Sequence, residues 1–310
     1  MRRRTFLSTL AGGAGAAVAA GLLPLTEGAA RTFPDLQGSI CRAASAVQAA
    51  EVVEPARGPL SFVGTRLLKD GCMEELAAAF TARTGRPMLV LGGGCDDGIA
   101  AVRTGRAHLG GLCCEPRAGT PTDGLRCLTI ADDLKVVVCH PSVPVETLGR
   151  AEVRALVAGA IDNWKDVGGP ARRIALVAYD HCHDYSEPVR NLLMDGRARY
   201  APRALSAKTD QELLDLVQRF EWSAGVNSWV LAQPLVAAGK LKVLAVDGQH
   251  PAPAGTPSPA YPLRGPLSLA VGPWQENLMR PFLDFLFGPD GQRLMARRLL
   301  PWDGERAGYA

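Results

Sequence analysis

Eight cysteines and five histidines are the residues of this 310-residue chain best suited to ligation chemistry. The cysteines are Cys41, Cys72, Cys95, Cys113, Cys114, Cys127, Cys139 and Cys182, and His181 and His183 flank the last of them. Thiolate sulfur and imidazole nitrogen suit Zn(II), Cu(I), Fe–S clusters or a thiophilic metalloid such as As(III). No compact ligand spacing announces such a site. The chain has no Cys-x-x-Cys, no haem-attachment Cys-x-x-Cys-His and no His-Glu-x-x-His. Alone, His181-Cys182-His183 reads as an exposed loop, and Cys113-Cys114 as a vicinal disulfide or two half-buried thiols. Cys127 and Cys139 adjoin apolar runs and read as small core residues.

The compartment decides how such thiols behave. Met1 to Leu10 reads MRRRTFLSTL, and a weakly apolar Ala/Gly stretch then leads to Gly28-Ala29-Ala30. This is the pattern of an export signal over residues 1–30, and Arg3-Arg4-Thr5-Phe6-Leu7 resembles the twin-arginine motif. A periplasmic protein follows, with no membrane span in its mature form. An oxidising compartment turns an even set of cysteines into disulfides, whereas a protein exported already folded can carry its thiols bound to metal. Both readings stand at this point. Loss of Arg2, Arg3, Arg4 and Glu27 with the leader takes the net charge from +3 to +1. A near-neutral chain has no electrostatic basis for binding nucleic acid or an anionic membrane. Its 47% apolar and 21% charged composition excludes a disordered chain.

The elements that would position these residues alternate between strand and helix. Residues 31–58 form a polar, Ala-rich leader. Beyond it, short apolar runs at 60–63, 88–91, 109–112 and 134–139 read as strands. Met73, Leu76, Ala77 and Phe80 recur at helical spacing and stop at Gly85, and a second helix runs over 99–103. After Pro141 the pattern restarts, with helices over 150–157, 187–194 and 210–220 and strands at 174–178, 225–227 and 241–246. A Pro-rich stretch, 251–266, leads to a strand at 267–271 and closing helices over 275–287 and 290–300. This order predicts an α/β fold with mostly parallel sheets flanked by helices.

Several of these segments carry a family resemblance. Gly92-Gly93-Gly94-Cys95-Asp96-Asp97-Gly98-Ile99 resembles a Gly-rich ligand loop, and the segment from Val136 to Val145 resembles a crossover between lobes. Asn163-Trp164-Lys165-Asp166-Val167-Gly168-Gly169 is the most specific match, and Phe282-Leu283-Asp284-Phe285-Leu286 fits a closing helix. From about Leu60 to Leu300 the chain resembles the periplasmic phosphate-binding (PstS-like) proteins of bacterial ABC importers, in the type II periplasmic binding-protein superfamily. The resemblance implies a two-lobed Venus-flytrap: lobe one at 59–139 plus 245–310, lobe two at 140–244, and a ligand in the cleft between them. It further implies a binding protein rather than an enzyme, a monomer, and an ABC permease or membrane sensor as partner.

Against the family pattern the ligand loops are altered. Of the first loop's Ser/Thr residues only Thr65 survives, with Cys72 nearby. Cys95 stands where a ligand Ser is usual, and Cys113-Cys114 replaces a Ser-containing stretch. The fourth loop, normally Arg-x-x-Gly-Ser-Gly-Thr, reads Tyr179-Asp180-His181-Cys182-His183-Asp184-Tyr185. An oxyanion site loses its bidentate Arg by this change, and thiolates repel phosphate. The resemblance therefore implies a ligand set of Thr65, Cys95, Cys113, Cys114, Asp180, His181, Cys182 and His183, the Cys and His members holding a soft metal ion or metalloid. A phosphate or oxyanion importer component is one alternative. A redox protein holding an Fe–S or copper centre is another.

Overall fold

The computed structural model describes residues 59–179, 188–194, 200–272 and 275–309. All of them lie in the one unit Gly38–Ala310. The first apolar run becomes β1 (Leu60–Thr65), buried at every position. After the short α1 (Arg66–Leu68) and a π-helical turn at Lys69–Met73, the stripe through Leu76 and Phe80 forms α2 (Glu74–Thr84). Gly85 ends α2 in the left-handed conformation, φ 72°, which glycine adopts without steric cost. Next come β2 (Met88–Gly93), α3 (Cys95–Arg103), β3 (Leu109–Leu112) and the long β4 (Arg126–Cys139).

The second series opens with β5 (Thr147–Leu148), α4 (Arg150–Ala158), β6 (Ala175–Tyr179) and α5 (Pro188–Met194). It continues through β7 (Leu205–Ala207), α6 (Asp210–Arg219), β8 (Ser223–Ser228) and α7 (Trp229–Ala237). The expected strand at 241–246 is two short pieces, β9 (Lys242–Val243) and β10 (Ala245–Val246). The chain closes with β11 (Arg264–Val271), α8 (Glu276–Phe287), α9 (Pro289–Met295) and β12 (Leu300–Pro301).

Eight strands lie in the order β2-β1-β3-β11-β4-β8-β6-β7, with β9 and β12 also paired to β4. β1 is parallel to β2 and β3, and β6 is parallel to β7 and β8. β4 joins the two groups. Its residues 126–134 pair antiparallel with β11, and its residues 135–139 pair antiparallel with β8.

Two hydrophobic cores follow from this topology. Phe62, Phe80, Ile99, Leu269 and Phe282 belong to the first, where Phe80 and Phe282 meet edge to face at 5.4 Å. Val136, Trp164, Leu214, Val243 and Tyr261 belong to the second. Trp164 anchors the Asn-Trp-Lys segment: it is fully buried, and its indole N–H donates to the Trp222 carbonyl at 2.9 Å. Asn163 caps the 3₁₀ turn that follows, accepting from the Lys165 N–H at 3.1 Å. No helix among the described residues is long and apolar enough to cross a membrane.

Candidate functional site

The ends of β1, β2 and β3 meet the start of α3, and glycine makes that meeting close. A Cβ on Gly64 would stand 2.4 Å from the Gly111 Cα, and one on Gly98 would stand 2.5 Å from the Val63 carbonyl oxygen. Only hydrogen fits at these points, so α3 lies directly on β1 and β3. Gly94 caps α3, and Asp97 reaches back to accept the Gly94 N–H at 2.9 Å. This seating carries Cys95, the first residue of α3, to Cys113, the first residue past β3.

Three sulfurs converge there. Cys95 Sγ lies 3.4 Å from Cys113 Sγ, and Cys113 Sγ lies 3.9 Å from Cys114 Sγ. All three fall within 4.8 Å of one another. The separations exceed the roughly 2.05 Å of a disulfide, so these are thiol sulfurs. The Cys113 backbone N–H donates to Cys95 Sγ at 3.4 Å. The three residues are 2%, 6% and 1% exposed in order of sequence. The N-terminus of α3 adds a positive dipole end that favours negative charge on Cys95. Three thiolates at these separations can surround a single soft atom.

The other expected residues fall elsewhere. Thr65 is buried but spends its hydroxyl on capping α1, accepting from the Leu67 N–H at 3.3 Å. Cys72 turns into the π-helical segment and donates to the Leu68 carbonyl at 3.6 Å; burial, with Glu75 adding to it, pushes its thiol up to about 12. It does not join the three-sulfur group. Burial likewise pushes Cys127 up to about 11 and Cys139 up to about 12, the second despite Lys242 nearby. These thiols stay protonated and pack in the fold. His108 bonds through Nδ1 to the Ser61 hydroxyl at 2.8 Å and backbone N–H at 3.1 Å, a structural role. Asp180, His181, Cys182 and His183 lie outside the described residues, as does Cys41.

Sequence reasoning missed the polar floor of this region. A small cavity of about 20 Å³, partly open to solvent, is lined by Leu67 and Cys113 from the first core and by Tyr179 and Tyr200 from the second. Lys135 and Asn227, on β4 and β8, line it between them. Lys135 is almost wholly buried, and its ammonium donates to Asp133 at 2.7 Å. The other Asp133 oxygen accepts from the Ser228 hydroxyl at 2.8 Å, while Asn227 donates to the Asp210 carbonyl at 3.1 Å. The signal for Lys135 was an ionisable side chain set directly before the all-apolar Val136-Val137-Val138.

No known protein-family profile matches the chain. It is 20% identical over 179 residues to the phosphate-binding protein PstS of Borreliella burgdorferi, covering 56% of this chain and 64% of that protein. It is 20% identical over 242 residues to the Bacillus subtilis phosphate-binding protein PstS, covering 77% of this chain and 79% of that one. A solved candidate phosphate ABC transporter substrate-binding protein from Clostridium perfringens, with bound phosphate, superposes with a TM-score of 0.66 at 20% identity. That match covers 79% of this chain and all of that one. The doubled α/β core, the shared long strand and these likenesses lead to one conclusion: the chain has the α/β fold of these phosphate-binding proteins and is similar to them at 20% identity.

Proposed function

We propose that this protein is an exported solute-binding protein that captures a soft metal ion or metalloid in the cavity between its two cores. Cys95, Cys113 and Cys114 are its soft-ligand set, and it hands its cargo to an ABC permease or a membrane sensor in the periplasm. The observation that carries this reading is the convergence of the three buried sulfurs within 4.8 Å at strand and helix ends. In open α/β sheets ligands bind at such ends, where the strand order switches. The likeness to phosphate-binding proteins supports a small inorganic ligand and an importer as partner. On the ground of sequence alone, the proposal extends to Asp180, His181, Cys182 and His183, and to export by the twin-arginine route.

Elemental analysis of protein exported by its own host and purified without chelators, beside a count of reactive thiols, tests the reading. Stoichiometric metal or arsenic with protected thiols supports it. Metal-free protein with its thiols paired as disulfides removes it.

A second reading, an oxyanion-binding importer component, is favoured by one observation: Lys135 places a charge-assisted donor in the cavity although the fourth loop has lost its Arg. Titration with inorganic phosphate separates the two.

A further inference from the structure

The lining of the cavity is chemically two-natured. One part presents the Cys113 sulfur, with Cys95 and Cys114 next to it at 3.4 and 3.9 Å. Another part is lined by polar residues: Tyr179, Tyr200, Lys135 with its ammonium paired to Asp133, and Asn227 and Ser228, which are hydrogen-bonded within the fold. A bare soft cation has use only for sulfur, and a phosphate only for donors. Together they match a molecule whose central atom is thiophilic and whose periphery is oxygen. We infer that the cavity takes the undissociated oxyacid of a trivalent metalloid, with arsenous acid as the type. The inference rests on the thiol-site reading above and names the substrate class of that site.

Charge decides between this class and its rivals. Three thiolates around a divalent ion leave one net negative charge on sulfurs that are at most 6% exposed. Removing such a charge from water is costly. With the oxyacid, one metalloid–sulfur bond forms as one metalloid–oxygen bond breaks, and the thiol proton leaves with the departing hydroxide as water. Oxidation states do not change, and no charge is added. The floor is matched to a neutral guest as well. The Lys135 charge is balanced by Asp133, which is fully buried at 2.7 Å. The pair therefore offers N–H donors with little net field for a dianion. Those donors bind the acid's hydroxyls and turn its central atom toward Cys113.

The full chain, with its thiols reduced, is titrated at neutral pH with sodium arsenite, zinc chloride and inorganic phosphate. Calorimetry in buffers of different ionisation enthalpy counts protons, and a thiol reagent counts protected cysteines. Arsenite is expected to bind, to protect the cluster thiols and to release no net protons. Lys135→Met is expected to lower the ratio of arsenite to zinc affinity about tenfold or more, the worth of a hydrogen bond from a charged donor. Because Lys135→Met alone strands Asp133, the double variant Asp133→Asn/Lys135→Met repeats the measurement without a buried unpaired charge.

An unmoved ratio in both variants overturns the role of Lys135. Zinc binding with proton release, while arsenite fails to bind, overturns the oxyacid and leaves the thiol site standing. Binding of phosphate alone, or of none of the three probes, overturns the thiol site and the oxyacid together.

Discussion

Cys72 and Cys95 are buried almost equally, at 1% and 2% exposure, and only their neighbours separate a packing thiol from a candidate ligand. Cys72 gives its proton to a backbone carbonyl and is held up to about 12, whereas Cys95 faces the Cys113 sulfur. Cys95→Ser and Cys113→Ser should therefore each weaken arsenite or zinc binding by at least about 100-fold, since even outer-shell partners of a metal site cost up to that much. Cys72→Ala should leave that affinity unchanged and lower stability by roughly 1–2 kcal/mol, read by competition titration and denaturant unfolding. Cys95 and the Cys113-Cys114 pair were legible because each replaces a hydroxyl residue within a recognisable loop. Lys135 was not. In a strand buried on both faces, side-chain alternation gives no sign of which face meets a cavity.

The site depends on how closely α3 lies against β1 and β3. Gly98→Ala would place a methyl 2.5 Å from the Val63 carbonyl oxygen and 3.0 Å from the Gly111 nitrogen. The helix must then lift, at a cost of about 1–3 kcal/mol, and carry Cys95 away from Cys113. A lower melting temperature together with slower oxidative coupling of those two thiols would register both effects. The Asp133–Lys135 pair makes a second test. Asp133→Ala should cost about 3–5 kcal/mol by stranding the ammonium, while Asp133→Leu with Lys135→Met should cost far less.

Most elements could be read from apolar spacing, because their stripes end at glycines such as Gly85. Two could not. α7, reading Trp-Val-Leu-Ala-Gln-Pro-Leu-Val-Ala, is apolar on nearly all sides and shows no helical period. The first half of β4 carries Asp132 and Asp133, whose charges argue against a buried strand until Arg306 and Lys135 are seen beside them.

At the scale of the whole molecule, buried thiols set an alkaline limit. Cys72, Cys127 and Cys139 titrate near 9.0 when unfolded and at about 11 to 12 in the fold. Their folded values are raised, so the folded state favours the protonated thiols. Their contribution is complete below pH 9 and is lost as pH rises through the interval from about 9 to 12. Tryptophan fluorescence followed against pH should show stability constant through neutrality and falling across that window. The strand–helix alternation was the most legible property of the sequence, and its restart after Pro141 is met by α4, β6 and α5. The sharing of β4 was not, because the pairing partner of each half lies more than 80 residues downstream.

That sharing has a mechanical meaning. β4 belongs to both halves of the sheet through unbroken backbone, with β11 on one stretch and β8 on the next. A molecule stretched from its ends in an optical trap therefore has no seam at which one half can give way and leave the other intact. The extension trace should show a single rip, and hydrogen exchange should find the amides at the changeover from Leu134 to Val136 among the last to open.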